Sequence, residues 1–213
     1  MVAATAGLLR MQTRKGFMGS QAVLQILAAA ESLCGRDECT RLQREAALFR
    51  LPDGDEAVRE DKVARLHQAV RRSLPAQAAT VLRLAGQGTA DHLVEHRISE
   101  RAQKLLGTAP RPVAAWMLGR WAKQNVGTIA GSAILSIHGT TGLELKDNPL
   151  VRGEQARAPV CDYHAALFER LFQRLVDPRL ICREILCAAT GASSCRFEIG
   201  FPEDDWPGFQ PAV

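Results

Sequence analysis

Glu184-Ile-Leu-Cys187-Ala-Ala-Thr-Gly191-Ala-Ser-Ser-Cys195-Arg-Phe197 holds both a turn and a candidate site. Leu180 to Leu186 is β-rich, Thr190-Gly191-Ala192-Ser193 carries turn residues, and the chain returns through Cys195 to Ile199. Apolar runs flanking a short Gly/Ser segment predict a β-hairpin. Cys187 and Cys195 flank the turn, one per strand. Two soft ligands at a hairpin mouth are half of a tetrahedral zinc site, and Cys161 and Glu184 are the candidates that complete it. Glu184 and Cys187 are three positions apart, which on a regular strand sends them to opposite faces. A shared metal then requires a bulge or the strand end between them. The spacing fits neither a zinc finger nor a ferredoxin cluster, and the alternative reading is small buried thiols.

Upstream the apolar period becomes helical. His164, Leu167, Phe168, Leu171, Phe172 and Leu175 share one face, and Asp177-Pro178 stops that helix. Ser132 to His138 and Leu143 to Leu145 read as strands around Gly139-Thr-Thr-Gly142, ended by Asp147-Asn148-Pro149. Everything before them reads as helix. The spans are 20–34, stopped by Gly35; Thr40 to Phe49, ended at Leu51-Pro52-Asp53-Gly54; and a helix capped by Asp61. Another opens at Pro75 and is broken by Gly86-Gln87-Gly88, and Thr89 caps the next, through Arg97. Ser99 caps a short helix to Gly107, and Pro112 opens one closed by Gly127. Helices, hairpin, helix, hairpin is the order of an α+β fold, with an antiparallel sheet from 132–145 and 180–200 covered by helices on one face. The expected organisation is an N-terminal arm over 1–19, a single domain over 20–200 and an irregular tail over 201–213, packed by Trp206 and Phe209.

With 213 residues, 46% of them hydrophobic and 23% charged, the chain suits one domain with a sizeable core. No run approaches the length of a membrane span, and no charged segment precedes the apolar Met1 to Arg10, so the expected compartment is the reducing cytoplasm. The net charge of +4 is dispersed, and aromatics at 5% do not interleave with the basic spots Arg71-Arg72 and Arg10 to Lys15. That pattern gives no nucleic-acid surface. Gly86-Gln87-Gly88 lacks the third glycine and the preceding strand of a dinucleotide loop. His92-Leu-Val-Glu-His96 matches the H-x-x-E-H pattern of inverted zinc proteases, with both histidines on one helix face, but no third-ligand segment follows. His67 and Cys34 lie on apolar stripes and read as core.

The run Cys161…Phe168-Glu-Arg-Leu-Phe172…Glu184-x-x-Cys187-x-x-x-Gly191-x-x-x-Cys195-x-Phe197 resembles the vinyl-4-reductase domain, a ligand-binding module related to Bet3-type trafficking subunits and to haem-NO-binding sensors. Thr89-Ala-Asp-His-Leu-Val-Glu-His-Arg-Ile98, Ala130-Gly-Ser132, Asp147-Asn-Pro-Leu150 and Arg152-Gly153 resemble its bacteriochlorophyll-biosynthesis branch. Members of that branch are called 4-vinyl protochlorophyllide reductases or 23 kDa chains of bacteriochlorophyll synthase. The likeness runs from about Ala22 to Ile199. Two departures stand out. Asn125-Val-Gly-Thr-Ile129 replaces an aromatic His-Ala-Trp-Thr-Phe segment, and His92 stands where relatives often carry tyrosine, which counts against the protease pattern.

The resemblance implies a Bet3-like, NO-signalling-type fold and a zinc on Glu184, Cys187, Cys195 and Cys161. It also implies a place in bacteriochlorophyll biosynthesis, either as an 8-vinyl reductase or as a carrier. Reduction needs a redox cofactor, and neither a dinucleotide loop nor iron–sulfur spacing is present in the sequence. The carrier reading has the chain bind a magnesium tetrapyrrole of the Mg-protoporphyrin or divinyl protochlorophyllide type. It would pass the pigment between enzymes such as magnesium chelatase and the Mg-protoporphyrin methyltransferase, as a homodimer. Trp116, Met117 and Trp121 are the candidates for an apolar slot, His96 for the axial ligand, and Arg97 or Arg101 for a propionate. A dimeric scaffold without pigment is the third reading.

Overall fold

The longest described helix runs through the glycines that the sequence reads as a break. In the computed structural model, which describes residues 15–54 and 56–203, α4 spans Ala78–Arg97 without interruption. Gly86 sits where α4 crosses a later helix, α8 (Asp162–Leu175); a Cβ there would run into the Tyr163 carbonyl and come within 3.0 Å of the Leu167 nitrogen. Glycine is therefore needed for close helix approach rather than for a turn, which corrects the sequence reading. Thr89 is consequently no cap: its hydroxyl donates to the Ala85 carbonyl at 2.9 Å, inside the helix.

The element order before α4 is β1 (Phe17–Gly19), α1 (Gln21–Cys34), α2 (Arg36–Glu45), β2 (Ala57–Arg59) and α3 (Glu60–Ser73). α1 matches the expected 20–34. α2 begins and ends earlier than Thr40 to Phe49, because Ala47 turns left-handed (φ 53°) and the Leu48 N–H closes onto the Gln43 carbonyl at 2.9 Å. That reversal throws Phe49 into solvent. Asp61 does not cap α3; it pairs with Arg59 and Arg65. Pro75 lies in a turn ahead of α4.

After α4 come α5 (Glu100–Thr108), α6 (Arg111–Gln124) and the short α7 (Val126–Ala130). Ser99 does cap α5, its hydroxyl accepting the Ala102 N–H at 3.4 Å. α6 ends three residues before Gly127, where the Asn125 amide donates back to the Trp121 carbonyl at 2.9 Å.

The expected antiparallel sheet is present. β3 (Ile134–His138), β4 (Gly142–Lys146), β5 (Ile181–Leu186) and β6 (Cys195–Gly200) lie in the order β3-β4-β6-β5, two hairpins joined through the antiparallel pair β4–β6. Burial alternates along β6: Cys195, Phe197 and Ile199 are buried while Arg196 and Glu198 are half-exposed, so helices cover one face. α8 and α6 pack on that side, with Ile137 of β3 against Gly119.

A second sheet, β1 with β2, lies outside the sequence reading. Met18 in β1 is fully buried, so the folded body includes part of the segment read as an arm. The rest of that arm, 1–14, and Trp206 and Phe209 of the tail lie outside the described residues. No described helix is long and apolar enough to cross a membrane.

Candidate functional site

Register is what brings the four candidate ligands together. Pairing of β5 with β6 is regular through Glu184↔Phe197, then shifts so that Leu186 faces Arg196. This irregularity at the strand end lets Glu184 and Cys187 turn to the same side, which a straight strand forbids. A single 3-10 turn, Ala188–Thr190, then Gly191 (φ 97°) return the chain to Cys195. Cys161 arrives from the N-terminal edge of α8.

The ligand atoms of Cys161, Glu184, Cys187 and Cys195 all lie within 4.8 Å of one another. Cys161 Sγ is 3.5 Å from Cys195 Sγ and 3.9 Å from Cys187 Sγ. Sulfurs at ~2.3 Å from one tetrahedral ion are separated by about 3.8 Å, so these spacings fit a shared zinc. Glu184 Oε2 accepts the Cys161 N–H at 2.8 Å, which holds the carboxylate over the sulfurs. Its Oε1 is buried with no hydrogen-bond partner, the state of an oxygen placed for a metal.

The electrostatics agree. Hydrogen bonds from the Cys161 and Cys187 thiols pull Cys195 down to about 4. Hydrogen bonds to Cys187 and Cys195, then burial, hold the Cys161 thiol well above its ordinary value. Burial, then the charge of Cys187, lifts the Glu184 carboxyl to about 8. The protein alone thus keeps part of the cluster protonated, and a dication would let all four groups ionise. With four protein ligands and no open position, such a centre is structural. Among the described residues this is the only group of three or more potential ligands.

The expected pigment residues are dispersed. His96 is exposed on the last turn of α4, its ring stacked on His92 at 4.3 Å. Its Nδ1 lies 3.1 Å from the His92 carbonyl, which can only accept, so Nδ1 carries the proton and Nε2 presents its lone pair. His92 and Arg97 line a small cleft with Thr89 and Thr128. Arg101 is exposed on α5. Trp116 is 51% exposed with the Arg120 guanidinium 6.0 Å from its ring centre, whereas Trp121 is 2% exposed in the core. Five residues apart on α6, they do not form one wall, and Met117 is half-buried between these extremes. A cavity of about 350 Å³ lies elsewhere, between Phe17, Leu48, Phe49, Arg50, Val58 and Lys62. No sequence pattern pointed to it, because its walls come from β1, β2 and the loop after α2.

Comparison with known proteins agrees with this architecture. The vinyl-4-reductase domain family matches residues 142–201, from β4 through β6, and so includes all four candidate ligands. Solved structures similar in fold include an H-NOX protein from S. oneidensis in the Fe(II)NO ligation state (TM-score 0.56, 13% identity, 87% of this chain and 100% of that one). An Fe(II) unliganded H-NOX protein from K. algicida is comparable (TM-score 0.55, 12% identity, 91% and 100%). The chain is thus an α+β protein of the NO-signalling type carrying a vinyl-4-reductase domain.

Two curated relatives, both named Bacteriochlorophyll synthase 23 kDa chain, are similar over most of their length. The one from Cereibacter sphaeroides is 35% identical over 184 residues, 85% of this chain and 89% of the relative. The one from Rhodobacter capsulatus is 31% identical over 182 residues, 84% and 85%. The chain belongs to the bacteriochlorophyll synthase 23 kDa chain family, and its role lies in bacteriochlorophyll biosynthesis.

Proposed function

We propose that this chain binds a magnesium tetrapyrrole of the Mg-protoporphyrin or divinyl protochlorophyllide type and carries it between enzymes of the pathway, without reducing it. Magnesium chelatase and the Mg-protoporphyrin methyltransferase are the expected donors and acceptors. The observation that carries the reading is His96: its Nδ1 proton is committed to the His92 carbonyl, so an exposed Nε2 lone pair is presented to an axial metal. Arg97 follows it in sequence and Arg101 lies on α5, both suited to a propionate. Trp116 offers an exposed apolar face, whereas Trp121 belongs to the core. We further infer that Cys161, Glu184, Cys187 and Cys195 hold one structural zinc, supported by the sulfur spacings and the partnerless Glu184 oxygen.

The test is an absorbance titration of the purified protein with magnesium protoporphyrin and with divinyl protochlorophyllide, repeated with nicotinamide cofactor. Stoichiometric binding without monovinyl product supports the carrier. His96→Ala then shifts the bound pigment's absorption. Turnover with nicotinamide alone would establish a reductase, and neither binding nor turnover would leave a scaffold.

A further inference from the structure

Asn148 follows β4, just after Asp147, whose left-handed backbone (φ 55°) turns the chain away from the sheet. Its side chain belongs to a residue only 3% exposed. Oδ1 accepts the Leu150 N–H at 3.1 Å, capping the 3-10 turn Pro149–Val151. Because that contact needs the oxygen, the amide's other end, Nδ2, is the one that faces the cysteines. Nδ2 lies 3.6 Å from Cys161 Sγ, 3.6 Å from Cys195 Sγ and 3.5 Å from His164 Nδ1.

Charge explains why such a donor is needed. Three thiolates and a carboxylate around a dication leave a surplus of about two negative charges, and burial makes an uncompensated charge costly. The cysteines concerned are 4% exposed or less. N–H groups are arrayed around them: the Ala188 N–H reaches Cys195 Sγ at 3.5 Å, and the Cys161 N–H reaches Glu184 Oε2 at 2.8 Å. Those two are backbone groups. Asn148 contributes a side chain to the same task and touches two sulfurs at once.

We propose that Asn148 is the positioning residue of the metal centre: its amide holds Cys161 and Cys195 in the arrangement that takes a zinc dication and disperses the surplus charge. The proposal rests on the metal reading of the cluster. Outer partners of metal ligands typically govern affinity by 10–100-fold.

Asn148→Ser and Asn148→Asp both keep an oxygen that can cap Leu150 but lose the amide donors. Zinc affinity of the full chain is measured by competition with a chromogenic chelator, and cobalt(II) substitution reports the thiolate-to-metal charge-transfer band. Asn148→Ser should bind zinc about 10–100-fold more weakly and shift that band. Asn148→Asp should be weaker still, since it adds a negative charge. Asn125→Ser is the control: Asn125 is also buried but donates to the Trp121 carbonyl, so its loss should lower stability and leave zinc affinity and the cobalt band unchanged. Both Asn148 variants binding zinc within about twofold of the unchanged protein, with its cobalt spectrum, would overturn the assignment. Misfolding of both that excess zinc does not rescue would overturn it too. Failure of the unchanged protein to bind zinc would refute the metal reading itself, a distinguishable result.

Discussion

Gly86→Ala tests the packing of α4 on α8 directly. Alanine favours a helix interior by about 1 kcal/mol over glycine, so an isolated α4 would gain stability from the change. In the folded chain the new methyl would collide with the Tyr163 carbonyl, and lie 3.0 Å from Leu167 N and 3.1 Å from Ala166 Cβ. Two of these are backbone atoms of one helix, so no rotamer change relieves the overlap and α8 must move. Overpacking of this kind costs about 1–3 kcal/mol, and rigid neighbours place this site at the upper end. The net expectation is a loss of about 2 kcal/mol, or a melting temperature lower by about 4–8 °C for a chain of this size. Thermal unfolding followed by far-UV circular dichroism, paired with urea unfolding, measures it. Gly88→Ala in the same helix is the matched comparison, because its new methyl meets only the far end of the flexible Gln25 side chain. It should be neutral or gain up to about 1 kcal/mol. A Gly86→Ala protein melting at or above the unchanged one would refute the account of why α4 carries that glycine.

Trp121→Ala should cost about 3–5 kcal/mol as a large buried ring is lost, while Trp116→Ala, on the exposed side of α6, should change stability by less than about 0.5 kcal/mol and act on pigment binding alone. With free zinc a thousandfold above its dissociation constant, the metal contributes about 4 kcal/mol, so a chelator should lower the melting temperature by about 8–16 °C; identical melts with and without chelator contradict the centre. Burial holds His164 down at about 4 and His67 well below its ordinary value, so both are neutral in the folded chain. The unfolded chain takes up their protons as pH falls through about 6.5, so this stability is full above that pH and is lost toward pH 4, about 3 kcal/mol for His164 alone. Their ring proton resonances should stay in the neutral position from pH 8 to 5 in NMR spectra, and a midpoint near 6.5 for either would contradict its burial.

The hairpins were legible because their signals are local: Gly139-Thr-Thr-Gly142 and Thr190-Gly191 are turn chemistry flanked by apolar alternation. The same local logic misled at Gly86, where the missing side chain answers a residue about eighty positions away, on α8. β1 and β2 are three residues each, too short to show a period, and pair across the whole of α1 and α2. At the metal cluster, spacing exposed the difficulty between Glu184 and Cys187, and the register shift after Glu184 resolves it. Asn148 reads as turn punctuation beside Pro149; nothing in a one-dimensional pattern shows that its amide turns inward. The tryptophans of α6 misled for a simpler reason: positions 116 and 121 do not share a helix face.

Strand order has a consequence for how the chain is made. β6 is the last described strand to be synthesised, yet it is the one that lies between β4 and β5. Until it leaves the ribosome, β4 has only its hairpin partner, and Cys161 and Cys187 wait for Cys195. The N-terminal helices can collapse early, since their contacts are close in sequence, but sheet closure awaits a long-range pairing. A chain stopped before Cys195 would keep most of its helices while leaving β4 with an open edge and β5 with no partner strand, a species prone to aggregate. Quality control of this protein during translation therefore hinges on its final stretch of sequence.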